Sequence, residues 1–377
     1  MRLLHTADWH LGKTLKGQRL IDDQRFIINE IFKIIEDCKP DAILICGDIY
    51  DRSVPPADAV ELFDETLTKF AEKNLPTLII AGNHDSATRL NFGRKIFERQ
   101  NIFITSKISD EPTQVVLEDK FGEVYFSLIP FFEAGEIRAK FFGDNEEYLT
   151  ADAATKFYVS LARKKISADK RSVALAHAFL TGGIESESER KFVGGSANVN
   201  AKNFSGYNYV ALGHLHSPQK ISTENIRYSG SPLKYSFDEA SHKKSVTLVE
   251  IDGAGNVKLE NILLKPRRDL IVVEGKFNEL RNCSLRTDYA QIILTDDAYI
   301  YNTENLRDAF PNFLEVKRKS HLISYDDAPT NTFRKEDPVS EQFAKFFEEI
   351  TSNPLCEDER TAFEKFLQEL ERERREA

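Results

Sequence analysis

Five short apolar segments of this 377-residue chain each end at a polar turn that carries Asp, Asn or His. Short apolar runs bounded by turn residues are typical of buried strands. The segments and the polar residues that follow them are Arg2–Thr6 with Asp8 and His10, Asp41–Cys46 with Asp48 and Asp51, Thr77–Ala81 with Asn83 and His84, Ser172–Ala176 with His177, and Tyr209–Leu212 with His214 and His216. Because ligands of open α/β sheets lie at the carboxyl ends of the strands, this repetition predicts one shared site.

The distribution of histidine favours a shared site over five unrelated turns. A single Asp after a strand is most often a turn former or a helix cap. Here, however, five of the eight histidines lie in the turns that follow these segments. Histidines scattered over a protein surface would not concentrate in this way, so we expect the turns to carry the functional residues.

Helical segments alternate with the first three strands. Apolar periodicity predicts helices over Ile21–Asp37, from Pro55-Pro56 through Phe70, and over about Ala87–Arg99. Such alternation predicts parallel strands. Further strands are predicted at Ile102–Thr105, Gln114–Glu118, Val124–Ile129, Ile226–Tyr228, Ser245–Ile251 and Val257–Leu263, with a helical stretch at about Asn145–Lys165. The expected fold class is α/β (α+β), in which two packed sheets flanked by helices form a first domain over residues 1–264.

Two smaller domains are predicted beyond the linker Lys265–Arg268. Residues 268–325 are expected to form an α+β cap with strands Leu270–Val273, Tyr289–Leu294 and Phe313–Val316 and short helices near Asn278–Cys283 and Glu304–Phe310. Residues 337–377 are expected to form two amphipathic helices whose apolar faces carry Phe343, Phe346, Phe347 and Ile350, then Phe363, Phe366, Leu367 and Leu370. These faces fit either this protein's own core or a partner's groove, and the polar segment Tyr325–Glu336 before them favours the partner.

Two predicted loops are rich in charged residues. Leu11–Arg19 carries three basic residues, which suit either a solvated loop or a contact with the phosphate backbone of a nucleic acid. Gly182–Ser196 is rich in Gly, Ser and charge and is predicted to be a long surface loop, a type of segment that is often functional.

Charge and cysteine content set the expected compartment and limit the partners. The formal net charge of −10 argues mildly against nucleic acid, but the last 44 residues, with 13 acidic and 8 basic side chains, account for half of it. No apolar run approaches the roughly 18 residues that cross a bilayer, and Asp8 and His10 interrupt any signal-peptide core. The four cysteines show no CxxC pairing, which is typical of reduced thiols in a cytoplasmic protein.

The residue types in the turns indicate metal chemistry. Asp, Asn and His together suit a divalent ion of intermediate hardness such as Mn²⁺, Fe²⁺ or Zn²⁺. The ligands are too many for one ion, and two ions about 3.5–4 Å apart that share one carboxylate fit the inventory. Such a pair activates water and stabilises charge on a phosphoryl centre, so the sequence predicts phosphoester hydrolysis.

The turns also match a known motif series. The matching residues are Asp8-x-His10, Gly47-Asp48-x-x-Asp51, Gly82-Asn83-His84-Asp85, His177 and Gly213-His214-x-His216. In content and order they resemble the calcineurin-like metallophosphoesterase family. The resemblance implies that one metal ion is held by Asp8, His10, Asp48 and His216, and a second by Asp48, Asn83, His177 and His214. It further implies that His84 is catalytic without binding metal, and that Asp51 orients His84 by a hydrogen bond.

The resemblance carries expectations about cofactor, substrate and assembly. It implies two Mn²⁺ ions per chain, a DNA nuclease acting on double-stranded ends and hairpins, and a cap that faces DNA. It also implies that the helical tail binds an ABC-type coiled-coil ATPase and that the chain forms a homodimer within a heterotetramer. Two other functions stay open from the residues alone: a stand-alone phosphodiesterase or phosphatase for small or protein substrates, and a scaffold that binds DNA ends.

Other singled-out residues have mainly structural interpretations. His5 lies inside a strand and is expected to be structural, and Trp9 is expected to pack beneath the ligands. Arg52 fits either a phosphate contact or a pairing with a nearby carboxylate. His242 and His321 have no motif around them and are expected on the surface.

Overall fold

The computed structural model of the chain describes residues 1–143, 149–189, 198–296, 302–319, 338–351 and 354–376. The chain divides into two compact units, Met1–Lys317 and Arg318–Ala377. Among the described residues, no helix combines the length and the apolar character that a membrane span requires.

The elements follow each other in chain order. The strands are β1 (Arg2–Thr6), β2 (Thr14–Leu15), β3 (Gln18–Arg19), β4 (Ala42–Cys46), β5 (Thr77–Ile80), β6 (Ile102–Thr105), β7 (Thr113–Asp119), β8 (Gly122–Ile129), β9 (Arg171–His177), β10 (Tyr209–Gly213), β11 (Gln219–Ile221), β12 (Thr223–Tyr228), β13 (Ser245–Ile251), β14 (Val257–Leu263), β15 (Leu270–Gly275), β16 (Tyr289–Leu294) and β17 (Phe313–Arg318). The helices are α1 (Ile21–Cys38), α2 (Ala57–Glu72), α3 (Ala87–Leu90), α4 (Arg94–Phe97), α5 (Ala134–Ile137), α6 (Ala151–Arg163), α7 (Phe277–Arg281), α8 (Val339–Thr351) and α9 (Glu357–Glu376).

Two six-stranded sheets form the centre of the first unit. Their strand orders are β14-β13-β1-β4-β5-β6 and β11-β12-β10-β9-β8-β7. In the first sheet, β1, β4, β5 and β6 are parallel, and β13 runs antiparallel to both of its neighbours, β1 and β14. In the second sheet, β8, β9, β10 and β12 are parallel, and the edge strands β7 and β11 run antiparallel to their neighbours. The predicted fold class and the predicted parallel order of the first strands are confirmed.

Alternation along each strand builds the core on both faces of a sheet. In β4, Leu44 and Cys46 pack between the two sheets with Leu175 of β9. Ile43 and Ile45 point the other way, into the cluster formed with α1 and α2. Period-two alternation divides the apolar side chains of one strand between two layers. Both faces are therefore covered, which is usual for parallel strands, and the polar turns at the strand ends are left to form a site.

The predicted helices match the structure within a few residues except for the third, and residues 145–148 of the predicted stretch Asn145–Lys165 lie outside the described residues. Helix α1 ends before Pro40, where Lys39 adopts a left-handed conformation with φ 47°. The predicted helix Ala87–Arg99 is wrong as a single element, because it is divided into α3, α4 and a 3₁₀ turn. The break lies at Gly93, whose φ of 73° is incompatible with a continuous α-helix.

The small three-stranded sheet β15-β16-β17 belongs to the first compact unit. Tyr289 on β16 donates a hydrogen bond of 2.7 Å to Asp23 on α1, and Lys234 pairs with Asp269 at 2.9 Å. The predicted strands are present, as are the two short helices, the second as a 3₁₀ helix at Thr303–Asp308. Residues 297–301 and 320–325 of the predicted cap lie outside the described residues. The division into domains 1–264, 268–325 and 337–377 stays a prediction.

The second unit contains the two predicted amphipathic helices, α8 and α9. They pack against each other through Phe343 and Phe363, whose ring centroids are 3.8 Å apart. Phe346 and Phe366 remain exposed. The helix start at Asp337, the polar segment Tyr325–Glu336, and the side chains of Ile350 and Leu370 lie outside the part of the chain that the structure describes.

Candidate metal centre

The carboxyl ends of five parallel strands bring the predicted ligands together. Asp8 and His10 follow β1, Asp48 follows β4, Asn83 follows β5, His177 ends β9, and His214 and His216 follow β10. The first two turns are tied by main-chain hydrogen bonds of 3.0 Å, from Asp8 to Gly47 and from His10 to Asp48. Ligands therefore come from both sheets.

Asp48 occupies the middle of the cluster. Its Oδ2 atom lies 3.6 Å from Nε2 of His10 and 3.5 Å from Nε2 of His177. The other oxygen, Oδ1, accepts a hydrogen bond of 2.8 Å from the main-chain N–H of His84. One carboxylate oxygen therefore faces two imidazoles that come from different sheets, which is the position expected of a shared ligand.

Two groups of donors lie on either side of Asp48. On one side, Nε2 of His10 lies 3.1 Å from Nε2 of His216. On the other, Oδ1 of Asn83 lies 2.8 Å from Nε2 of His177 and 3.1 Å from Nδ1 of His214. Donors bound to one ion at about 2.1 Å stand roughly 3–3.5 Å apart. The donor set and its spacing therefore fit two divalent ions.

Asp8 completes the first group. One ligand atom each from Asp8, His10 and His216 lies within 4.8 Å of the others, and the same holds for Asp8, Asp48 and His177. All of these side chains are buried. Buried carboxylates without a cation partner are rare, so the burial itself favours bound metal.

The backbone at the site is unusual. Asp8, His10, Asp48 and His214 have positive φ values of 55°, 46°, 48° and 109°. Residues other than glycine adopt this region in only a few per cent of cases. Such conformations persist where the surrounding structure imposes them, and they cluster at functional sites. Here they turn the side chains out of the strand direction and towards each other.

Two motif glycines are required by close packing. A Cβ atom on Gly82 would lie 2.1 Å from Oδ1 of Asp48, and one on Gly213 would lie 1.7 Å from the carbonyl oxygen of Cys46. Both distances are far inside contact range, so any side chain at these positions would displace the ligand turns.

Burial sets the protonation of the ligands. It lowers the pKa of His214 to about 3 and that of His216 to about 4, so both are neutral at physiological pH. Neutral imidazole is the form that binds metal. Burial and the neighbouring Asp48 charge raise the pKa of Asp8 well above its usual range. A bound cation would relieve this repulsion.

Main-chain and carboxylate contacts behind the ligands hold them in place. Nδ1 of His177 faces the carbonyl oxygen of Cys46 at 2.9 Å, which leaves Nε2 for the cluster. The carboxylate of Asp85 accepts main-chain hydrogen bonds from Ile49, Tyr50 and Gly82 at 2.9–3.1 Å. Asp85 thus fastens the β4 turn to the β5 turn. The sequence shows Asp85 within a motif, but its role depends on contacts that spacing does not reveal.

A charged network behind His216 was not predicted. Glu189 accepts the main-chain N–H of His216 at 2.5 Å, and Lys244 donates to its carbonyl oxygen at 2.7 Å. Ser188 contacts its Nδ1 at 2.6 Å and also bonds Glu239, which pairs with Lys244. These buried charges come from distant parts of the chain, and no motif marks them.

This network adds detail to the prediction for the loop Gly182–Ser196. Ser186 and Glu189 are buried, and Ser188 contacts a candidate ligand. The first half of the segment has no regular structure and exposes Ile184, Glu185 and Glu187, as expected of a surface loop. Its buried polar side chains also contribute to the site, because they contact groups behind His216. Residues 190–197 lie outside the described residues.

His84 and Asp51 adjoin the cluster, but their contact differs from the expected one. Nδ1 of His84 lies 2.8 Å from the main-chain oxygen of Asp51, not from its carboxylate. The carboxylate instead pairs with Lys13 at 2.8 Å and lies 3.6 Å from Nδ1 of His10. The side chain of Asp51 is thus directed at a candidate ligand and a lysine, while its backbone holds His84.

The remaining predicted residues have mainly structural environments. His5 is buried and contacts Tyr209 and the carbonyl oxygen of Leu212 at 2.9 and 3.1 Å. Trp9 is buried and donates to Thr6 at 2.9 Å. Both structural interpretations agree with these contacts.

Outside the site, the structure shows the environments of Arg52, His242 and the basic loop Leu11–Arg19. Arg52 is exposed, and His242 is half-buried, not on the surface as expected. His321 lies outside the described residues. In the basic loop, which forms the β2-β3 ribbon, Lys16 pairs with Glu315 and Arg19 with Asp58.

Comparison with known proteins agrees with this geometry. The family model described as calcineurin-like phosphoesterase matches residues 1–218, which include every predicted site residue. The chain belongs to the calcineurin-like phosphoesterase family. The predicted resemblance and the prediction of a phosphoester-hydrolysing enzyme are confirmed for this phosphoesterase.

Similar proteins extend the match beyond the family domain. The phosphoesterase is 31% identical over 383 residues to the SbcD subunit of the nuclease SbcCD from Staphylococcus saprophyticus, with 98% of each chain covered. It is 33% identical over 325 residues to the protein of the same name from Staphylococcus epidermidis, with 84% of this chain and 85% of the relative covered. Among solved structures, a dimetal phosphatase from Danio rerio has 10% identity and a TM-score of 0.43, over 71% of this chain and 98% of that chain.

Proposed function

We propose that this phosphoesterase is a Mn²⁺-dependent DNA nuclease that hydrolyses phosphodiester bonds at DNA ends and hairpins. The observation that carries the proposal is the position of Asp48, whose Oδ2 atom lies 3.6 and 3.5 Å from imidazole nitrogens on either side. A shared carboxylate of this kind is typical of two-metal phosphoester hydrolases. The two relatives named as subunits of the nuclease SbcCD support DNA as the substrate.

The ligands divide into two proposed sets that share Asp48. One ion would be held by Asp8, His10, Asp48 and His216, and the other by Asp48, Asn83, His177 and His214. When bound, the two ions would activate a water nucleophile and stabilise charge on the phosphodiester. The protein holds both sets at a buried edge between the sheets, where the neutral imidazoles need not release protons on binding.

His84 is proposed as the catalytic residue outside the metal sets. Its main-chain N–H contacts Asp48, and its ring is oriented by the main-chain oxygen of Asp51. The ring is half-buried and therefore accessible to a substrate. From this position it would protonate the leaving oxygen or stabilise the charge that develops there.

The assembly is proposed to include an SbcC-type ATPase, an ABC-type coiled-coil protein, acting in DNA repair and recombination. The names of the two relatives support such a complex. The exposed Phe346 and Phe366 on the helical tail provide an apolar face for a partner. A homodimer within a heterotetramer is also proposed, and it would give cover to the exposed apolar side chains of Phe92 and Ile96 on the α3–α4 segment.

Cleavage of DNA and of a small diester by the purified full chain tests the proposed function. We expect Mn²⁺-dependent cleavage of a DNA hairpin and of duplex ends, loss of both with EDTA, and loss of both in Asp48→Asn. The control is Asp64→Asn, which removes a similar charge from an exposed position on α2 and should leave cleavage unchanged. Hydrolysis of bis(p-nitrophenyl) phosphate without cleavage of either DNA would contradict a nuclease and favour a stand-alone phosphodiesterase.

A further inference from the structure

A cavity of about 350 Å³ adjoins the metal centre on the side of His177 and His214. It lies between the segment that follows β8, the end of β9 and helix α6. Both imidazoles line it, and both belong to the set that shares Asn83. Anything bound in this cavity would therefore be adjacent to a phosphodiester at the metal centre.

Aromatic rings form much of the cavity wall. The ring of Phe131 lies edge-on to that of His177, with 6.3 Å between centroids, and Phe179 has the same relation and distance to His214. Phe132 also lines the cavity and packs edge-on against Tyr158 at 5.4 Å. All three phenylalanines are only partly buried, so their rings are available to a ligand.

The chemistry of the cavity differs from that of a phosphate-binding groove. Its other lining residues include Ile129, Pro130, Ala176 and Ala178, and the charged Glu133 and Arg138 in its lining are exposed. A groove that follows a nucleic-acid backbone would present Lys and Arg throughout. An aromatic wall in a partly open cavity instead matches the π face of a base, and the cavity's volume of about 350 Å³ lies in the range of small-ligand sites.

We infer that this cavity binds one nucleobase next to the phosphodiester that is cleaved. The inference rests on the proposed function and names a subsite of it. The base is the occupant that the position favours, because a phosphodiester held at His177 and His214 carries a nucleoside on either side, and the cavity adjoins these two imidazoles. Stacking on a phenylalanine ring tolerates any base, so the subsite would position the strand without reading its sequence.

Phe132 is the residue through which the subsite can be tested. Its ring packs on Tyr158 and not on a candidate ligand, so its removal does not strip a contact from the metal centre. The substrates are an oligonucleotide that the wild type cleaves in the presence of Mn²⁺ and two matched versions of it. Each version has an abasic residue on one side of the cleaved bond. For the wild type, one abasic position should lower kcat/KM about 5- to 150-fold, the range that one base–aromatic stack provides.

The variants separate stacking from a general loss of structure. Phe132→Ala should lower kcat/KM on the intact oligonucleotide by about the factor that the abasic residue costs the wild type. Its kcat/KM on the abasic oligonucleotide should then be little lower than on the intact one. Phe132→Tyr should restore the sensitivity to the abasic residue because it keeps the ring. The control is Phe121→Ala, which removes a phenylalanine with an exposed ring elsewhere and should behave like the wild type.

Three outcomes would overturn the inference. If the abasic residue lowers kcat/KM by the same factor in the wild type and in Phe132→Ala, the ring of Phe132 does not contact the base. Wild-type kcat/KM that is indifferent to both abasic positions would show that no base is bound there. If the wild type hydrolyses bis(p-nitrophenyl) phosphate but no oligonucleotide, the proposed function fails, and the subsite fails with it.

Discussion

At the scale of single residues, His84 has two possible relations to the metal centre. One ligand atom each from His10, Asp48 and His84 lies within 4.8 Å of the others, so geometry alone would permit His84 as a ligand. Its Nδ1 is already engaged with the main-chain oxygen of Asp51, however, and its ring is more accessible than those of the buried histidines. This arrangement favours proton transfer over metal binding.

Replacement of His84 distinguishes the two roles. We expect His84→Ala to lower kcat about 100- to 10,000-fold, as is usual when a general acid or base is lost. The variant should retain two Mn²⁺ per chain by elemental analysis after gel filtration. Normal cleavage would refute the catalytic role, and loss of one ion would show that His84 is a ligand.

Replacement of the Asp51 carboxylate is expected to affect metal binding, whereas replacement of His84 is expected to affect the chemical step. Because the backbone of residue 51 holds His84, Asp51→Asn should leave that ring in place. It should instead release Lys13 and remove the negative charge beside Nδ1 of His10. Loss of such a supporting group typically weakens metal affinity about 10- to 100-fold.

Titration of activity with Mn²⁺ measures this effect. The Mn²⁺ concentration for half-maximal activity should rise in Asp51→Asn, while kcat at saturating Mn²⁺ stays within a few fold of the wild type. Asp64→Asn serves again as the control. A fall in kcat with unchanged Mn²⁺ dependence would instead assign the carboxylate to the chemical step.

His5 predicts a specific pH dependence of stability. Burial lowers its pKa to about 3, whereas a histidine in the unfolded chain has a pKa near 6.5. At a pH between these two pKa values, the imidazole of His5 is protonated in the unfolded chain but not in the folded one. The free energy of unfolding therefore falls as the pH falls. From pH 7 to pH 5 this residue should remove about 2 kcal/mol.

Urea unfolding in EDTA at the two pH values checks this contribution. In His5→Gln, which keeps a hydrogen-bonding side chain beside Tyr209, the decrease from pH 7 to pH 5 should be smaller than in the wild type by about 2 kcal/mol. An identical decrease in both proteins would mean that His5 is not buried in its neutral form.

At the scale of elements, the strands and their turns could be predicted because each one is a local pattern. Apolar runs that end in Asp, Asn or His were sufficient to predict that the seven proposed ligands lie together at the carboxyl ends of the strands. The break at Gly93 was missed because the surrounding residues have helical periodicity and a single glycine is tolerated in many helices. The network of Glu239 and Lys244 was missed because this local pair reaches His216, which is 23 and 28 residues away in sequence, only through the fold.

The helical tail carries the prediction for partner binding. It forms its own compact unit, and Phe346 and Phe366 are exposed beside the stacked pair Phe343 and Phe363. Deletion of residues 338–377 should abolish co-purification with the SbcC-type ATPase while Mn²⁺-dependent nicking is retained. Phe346→Glu with Phe366→Glu should weaken co-purification without disturbing the stacked pair. Retained binding after the deletion would indicate that the tail packs on its own chain.

At the scale of the whole molecule, the candidate metal centre lies where the two sheets meet. β1, β4 and β5 of one sheet supply Asp8, His10, Asp48 and Asn83, and β9 and β10 of the other supply His177, His214 and His216. The sequence could predict this convergence only through the motif series, since parallel order places strand ends at one edge but does not state which sheets face each other. The packing of Leu44 and Cys46 against Leu175 sets that relation.

Because the ligands span both sheets, bound Mn²⁺ should stabilise the fold as well as activate it. A ligand that binds only the folded state at 100 times its Kd adds about 2.7 kcal/mol per site. Saturating Mn²⁺ should therefore raise the Tm of the EDTA-treated protein by several degrees, measured by calorimetry at fixed pH. Asp48→Asn should lose most of this increase because Asp48 serves both sites, whereas His84→Ala should keep it. An unchanged Tm in the wild type would contradict a centre that bridges the sheets, and an equal loss in both variants would contradict the assignment of Asp48 as the shared ligand.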